Sequence, residues 1–72
     1  MRMVKKINVL YIDDEYNNLT SFKAALRKEF KVQTALDAEE GLRMVMESEY
    51  EVVIADQRMP GTSGVEFFEK LV

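Results

Sequence analysis

Two short apolar runs that each stop dead on aspartate constrain this chain more than any other feature. Ile7 to Ile12 (INVLYI) is almost continuously apolar and rich in β-branched and aromatic residues, and it halts at Asp13, Asp14 and Glu15. A half-solvated strand would alternate, so such a run predicts a strand covered on both faces. Glu51 to Ala55 (EVVIA) predicts a second buried strand, and it halts at Asp56. Between them Leu19, Phe22, Leu26 and Phe30 recur at steps of three and four, the apolar stripe of a first helix. Lys31 to Ala35 (KVQTA) alternates polar and apolar residues, which suits a short strand at a sheet edge. Asp37 followed by Glu40 predicts a capping box, with Ala38, Leu42, Val45 and Met46 as the apolar face of a second helix over Ala38 to Glu47.

Strands alternating with helices imply a parallel sheet. Parallel crossovers are right-handed in nearly all cases, so an order 2-1-3, with the first strand central, sends the two helices to opposite faces. The winding then reverses between the first and third strands, and open α/β sheets bind ligands at the carboxyl ends of the strands at that reversal. Asp13, Asp14 and Asp56 are all expected there. Beyond them, Met59 to Gly64 carries turn residues, Ser63 and Glu66 form another capping pattern, and a third helix is expected to begin near Gly64. The 72-residue chain stops at Val72, roughly two turns into that helix, and reads as an interrupted single domain.

The available chemistry is narrow. With no cysteine and no histidine, thiolate or imidazole ligands and bases are excluded, which leaves carboxylates, hydroxyls, amines and backbone. A formal net charge of −3 offers no general attraction for nucleic acid. No signal peptide or membrane span is recognised, and a cytoplasmic location is expected. An Asp-Asp pair after a strand often serves as a turn or helix cap, and that reading stands beside a functional one. Three carboxylates gathered in one crevice oppose each other's ionisation unless a cation joins them. Magnesium suits an all-oxygen site, and Asp56 could then act as a nucleophile toward phosphorus.

These residues resemble a known family. Y-I-D-D-E after the first strand and A-D-Q-R-M-P-G-T-S-G after the third are similar to the signatures of response regulator receiver domains, and the likeness covers the whole chain. It implies a flavodoxin-like, three-layer α/β fold, here a partial one, and a role in two-component phosphorelay signalling rather than an enzyme. By the same resemblance Asp56 would take a phosphoryl group from a histidine kinase, a phosphotransfer protein or a small phosphodonor. Mg2+ would be held by Asp13, Asp14, Asp56 and the backbone carbonyl of Arg58. Met59, Pro60 and Gly64 would belong to the active-site loop, although Pro60 and Gly64 equally fit ordinary turn roles.

A complete receiver has five strands and five helices. The hydroxyl residue ending its fourth strand and the lysine ending its fifth have no counterpart in residues 1–72, so an impaired switch is expected, and a non-switching interaction fragment is the alternative. Lys5 and Lys6 precede the first strand, at the wrong end of the sheet, and Lys70 lies on a helix running away from the acids. Thr62 and Ser63 are nearer, with capping the expected job of Ser63. An aspartate-nucleophile phosphatase would need a second acid where Arg58 stands, and no G-x-G-x-x-G follows the first strand to mark a dinucleotide site. The apolar third strand, lacking an outer partner, predicts homodimerisation through its edge or through an uncovered sheet face.

Overall fold

The computed structural model describes residues 6–56 and residue 69. Five elements follow one another: β1 (Ile7–Ile12), α1 (Tyr16–Leu26), β2 (Phe30–Ala35), α2 (Ala38–Glu47) and β3 (Val52–Ala55). The three strands form one parallel sheet in the order β2-β1-β3. β1 is the middle strand, and its apolar run is explained by that position: Val9 faces one side and Leu10 and Ile12 the other, all buried. Ile7 pairs with Phe30 and Ile12 with Ala35 on one flank, and Val9 pairs with Val52 and Ile12 with Ala55 on the other.

Strand residues alternate between faces, so the sheet divides its side chains into two sets. Leu10, Ile12 and Ala35 meet Ala38 of α2, with Leu42, Met44, Val45, Tyr50, Val53 and Ala55 packed around them. Tyr11 points to the opposite side, where its ring stacks on Phe22 of α1 with centroids 4.3 Å apart and an interplanar angle of 27°. The helices therefore cover opposite faces, the arrangement expected of right-handed crossovers. Val52 and Ile54 share the α1 side with Val9 and Tyr11, and they remain 42% and 38% exposed. That part of β3 is less buried than its apolar sequence suggests.

Four expectations need correction in detail. Phe30 does not extend the stripe of α1, because the helix ends at Leu26 with Arg27 as its C-cap, and Phe30 opens β2 opposite Ile7. Its spacing fits both periods: four residues after Leu26 in a helix, two before Val32 in a strand. Met46 is 86% exposed, whereas Met44 packs on the core. The buried residues Ala38 and Gly41 turn the sheet-facing side of α2 toward Met44 and away from Met46. The capping pattern also closes one residue early. Asp37 Oδ1 accepts from the amide of Glu40 at 2.8 Å, but Glu40 Oε1 accepts from the amide of Leu36 at 3.0 Å rather than from that of Asp37. Finally, β3 begins at Val52; the Glu51 amide still donates to Asn8 O at 3.0 Å, while the Glu51 carboxylate accepts from the Asn8 amide at 2.8 Å.

The turn-rich loop at Met59 to Gly64, the second capping pattern at Ser63 and Glu66, and the third helix lie outside the described residues. Among the described residues no helix is long and apolar enough to cross a membrane. Asp37→Ala is expected to lower stability by about 1 kcal/mol, the usual cost of deleting an N-cap oxygen, and Asp37→Ser to recover most of it. Urea denaturation followed by circular dichroism measures both, and equal midpoints for wild type and Asp37→Ala would contradict the cap's role.

Candidate metal centre

The strand ladder extends one step beyond each pairing and delivers the acids side by side. The Asp13 amide donates to Ala35 O at 3.1 Å, and the Asp56 amide donates to Ile12 O at 3.0 Å. Asp13 and Asp56 thus stand at the carboxyl ends of neighbouring strands where the winding reverses. Asp14 follows in the β1–α1 connection. The three residues can each offer one carboxylate oxygen within 4.8 Å of the others. Asp14, Glu15, Asn18 and Asp56 line an adjoining pocket of about 420 Å3.

Asp13 is the anchor of this group. It is only 2% exposed, and a carboxylate buried that deeply needs partners to stay charged. It has three. Tyr11 Oη donates to Oδ2 at 2.7 Å, Asn18 Nδ2 donates to Oδ2 at 3.0 Å, and the Glu15 amide donates to Oδ1 at 3.0 Å. The bond from the Glu15 amide is an Asx turn, so the local turn reading of Asp13 is correct and coexists with its place in the acid cluster. Glu15 is the N-cap of α1 and makes no side-chain cap bond, leaving Asp13 to organise the connection.

Burial pushes the Asp13 carboxyl up, but hydrogen bonds from Tyr11, Glu15 and Asn18, with the adjacent Asp14 carboxyl, more than offset this and hold it below the usual carboxylate value. Tyr11 moves the other way, raised to about 12, first by burial and then by its bond to Asp13 and the nearby charges of Asp13 and Asp56. The buried acid is therefore ionised at neutral pH while its phenol partner keeps its proton. An oxygen-only donor set of this kind fits a hard divalent cation such as Mg2+.

Asp13, Asp14 and Asp56 are brought together as expected. Lys6 sits at the far end of the sheet, where its Nζ donates to Arg27 O at 3.0 Å. Lys5, Arg58, Met59, Pro60, Thr62, Ser63, Gly64 and Lys70 lie outside the described residues. Sequence reasoning missed Tyr11 and Asn18. A signal for Tyr11 existed, since a residue two positions before Asp13 in a strand shares its face. Asn18, one turn into α1, becomes visible only once the helix is docked.

Comparisons with known proteins agree with this fold. The model of the response regulator receiver domain family matches residues 9–72. The hydrogenase transcriptional regulatory protein HoxA of Cupriavidus necator is 36% identical over 67 residues, covering 93% of this chain and 14% of that protein. The chemotaxis response regulator CheY4 of Vibrio cholerae superposes with a TM-score of 0.87 at 28% identity, over 92% of this chain and 56% of the other. A chain in the co-crystal structure of the Saccharomyces cerevisiae phosphotransfer protein Ypd1 with the receiver domain of Ssk1 gives a TM-score of 0.84 at 25% identity, over 97% and 49%. The fold is that of a receiver-type α/β signalling domain. The chain belongs to the response regulator receiver domain family of two-component signalling. It spans a seventh of the HoxA relative and about half of each solved chain.

The two shifted groups predict opposite pH limits for the metal-free protein. Asp13 is depressed in the folded state, so its stabilisation is present above the ordinary carboxylate value and is lost as pH falls through the folded one. Tyr11 is raised from 10.0 to about 12, so its contribution is complete below pH 10 and is lost as pH rises through about 12. Ultraviolet titration in EDTA should lose one late-ionising phenol in Tyr11→Phe, and acid unfolding of that variant should begin at higher pH. An unchanged acid limit would contradict the Tyr11 to Asp13 coupling.

Proposed function

We propose that Asp56 is the phosphoacceptor of this receiver domain, working with Mg2+ held by Asp13, Asp14 and Asp56, and by the backbone carbonyl of Arg58 as the family resemblance implies. The observation that carries this reading is the convergence of three carboxylate oxygens within 4.8 Å from two strand ends, with the most buried acid kept ionised by its donors. Without a cation, that much negative charge would repel an incoming phosphoryl group. The bound ion would neutralise charge on the phosphoryl oxygens.

In the proposed transfer an Asp56 carboxylate oxygen forms a bond to phosphorus as the phosphorus–nitrogen bond of a phosphohistidine breaks. The departing imidazole keeps the bonding electron pair and takes up a proton, and an aspartyl phosphate remains. Asp13 stays anionic throughout, because its hydrogen bonds favour the charged form. The exposure of Asp14 beside the 420 Å3 pocket supports a share for it in the ion at the solvent side. The donor would be a histidine kinase or a phosphotransfer protein. The co-crystal of Ypd1 with the Ssk1 receiver domain supports this class of partner.

Incubation with acetyl phosphate and Mg2+ should add one phosphoryl group, seen by intact mass and by 31P NMR as an acyl phosphate. Asp56→Asn should abolish it, and Asp13→Asn should weaken Mg2+ at least about tenfold. No adduct in wild type, or an adduct that survives in Asp56→Asn, would contradict the proposal.

A further inference from the structure

Basic residues are the minority in this chain, 10 against 13 acidic ones, yet four of them line one concavity. Lys23 in the last turn of α1 and Arg27 at its C-cap stand four residues apart and share a face. Lys6 precedes β1, and Lys31 lies in β2 opposite Asn8. With Asn8, Phe30 and Val32 they surround a cavity of about 480 Å3 at the end of the sheet remote from the acids. Like charges spaced in this way on a helix oppose each other, and none of the four cations is paired to an acid among the described residues. The Glu51 carboxylate, which reaches Asn8, is engaged there, accepting from its amide at 2.8 Å and from its Nδ2 at 3.4 Å. Glu29, in the turn before Phe30, lines no part of the cavity.

One contact organises the cluster. Lys6 Nζ donates to Arg27 O at 3.0 Å, setting a cation against the negative end of α1. This uses one of the ammonium's three donors and leaves the others for a ligand. The Arg27 guanidinium supplies a planar fork that fits phosphate, and lysine ammoniums bind phosphate as point charges. Phe30, half-buried, and Val32, buried, give the cavity an apolar part. The volume is that of a small-ligand cleft. Carboxylates on one face of an extended acidic peptide lie about 7 Å apart, so few of them would fall among the four cations. A chain of phosphates sets its charges next to one another.

We propose that this concavity binds a small polyphosphate, free or as part of a nucleotide, with Lys6, Lys23, Arg27 and Lys31 meeting the phosphate oxygens. The site is separate from the acids at the other end of the sheet and depends on neither the metal nor the phosphoacceptor reading.

Calorimetric titration with sodium tripolyphosphate tests this in EDTA, which keeps divalent cations from carrying the anion to the acidic end. Wild type should bind, with an affinity that falls as NaCl is raised. Lys23→Gln, Arg27→Gln and Lys31→Gln should each weaken binding by about fivefold, the scale of an exposed hydrogen bond to a charged group. Arg43→Gln makes the same change of charge on α2, across the sheet from α1, and should leave the affinity within about twofold. All four side chains are exposed. Circular dichroism verifies each fold, and Lys31→Gln on β2 carries the test if the helix variants unfold. Backbone amide signals should shift at Lys6, Arg27 and Lys31 and stay in place at Asp13 and Asp14. ATP in the same titration separates the two sources: it binds more tightly than tripolyphosphate if a nucleotide body engages Phe30 and Val32, and more weakly if phosphates alone are held. No binding to wild type, equal weakening by Arg43→Gln, or tighter binding of a glutamate-rich peptide overturns the inference.

Discussion

Placing an ionised carboxylate at the end of the central strand, with 2% of its surface exposed, is the most demanding thing this fold does. Left unpaired, such a group would be protonated or would draw water into the structure. Three donors prevent that, and they come from three places: Tyr11 from β1 itself, Glu15 from the connection, and Asn18 from α1. Satisfying Asp13 consequently docks the start of α1 on the end of β1. The same bonds that complete the fold set the charge state of the acid, so the site and the local architecture are consequences of one interaction.

The rest of the molecule brings Asp56 to that anchor. With β1 central, Ala35 on one side and Asp56 on the other bond its end through the Asp13 amide and the Ile12 carbonyl. Opposite crossovers place α1 and α2 on different faces, and the reversal of winding sets the ends of β1 and β3 side by side. Acids delivered by backbone ladders hold their spacing better than acids on a mobile loop, as pre-organisation of a charged site requires. The two faces differ in completeness. The α2 side holds the main apolar cluster, whereas Val52 and Ile54 on the α1 side remain partly open.

Much of this was legible in the residues. A central strand must be apolar on both faces, and INVLYI is; an edge strand can alternate, and KVQTA does. The topology followed from alternation and crossover handedness, and the meeting of Asp13, Asp14 and Asp56 followed from the topology. What escaped was decided by docking. Phe30 satisfies a helical and a strand period at once, and only its pairing with Ile7 settles which applies. Met44 and Met46 flank the same helix face, and the tilt of α2 onto its small residues selects between them. Asn18 is an ordinary polar residue of a first helical turn until the helix sets it 3.0 Å from Asp13. Side-chain partners at a site depend on distances across elements, which periodicity does not carry.

The central claim is that these three acids, from two strand ends, form one divalent-cation site. Titration with Mn2+ as a paramagnetic substitute for Mg2+, read from backbone amide signals in two-dimensional NMR, tests it directly. The account predicts selective broadening at Asp13, Asp14 and Asp56, relieved by excess Mg2+, with Lys6 and Arg27 at the far end of the sheet unaffected. Broadening spread evenly over the surface acids, or absent from Asp13 and Asp56, would contradict it.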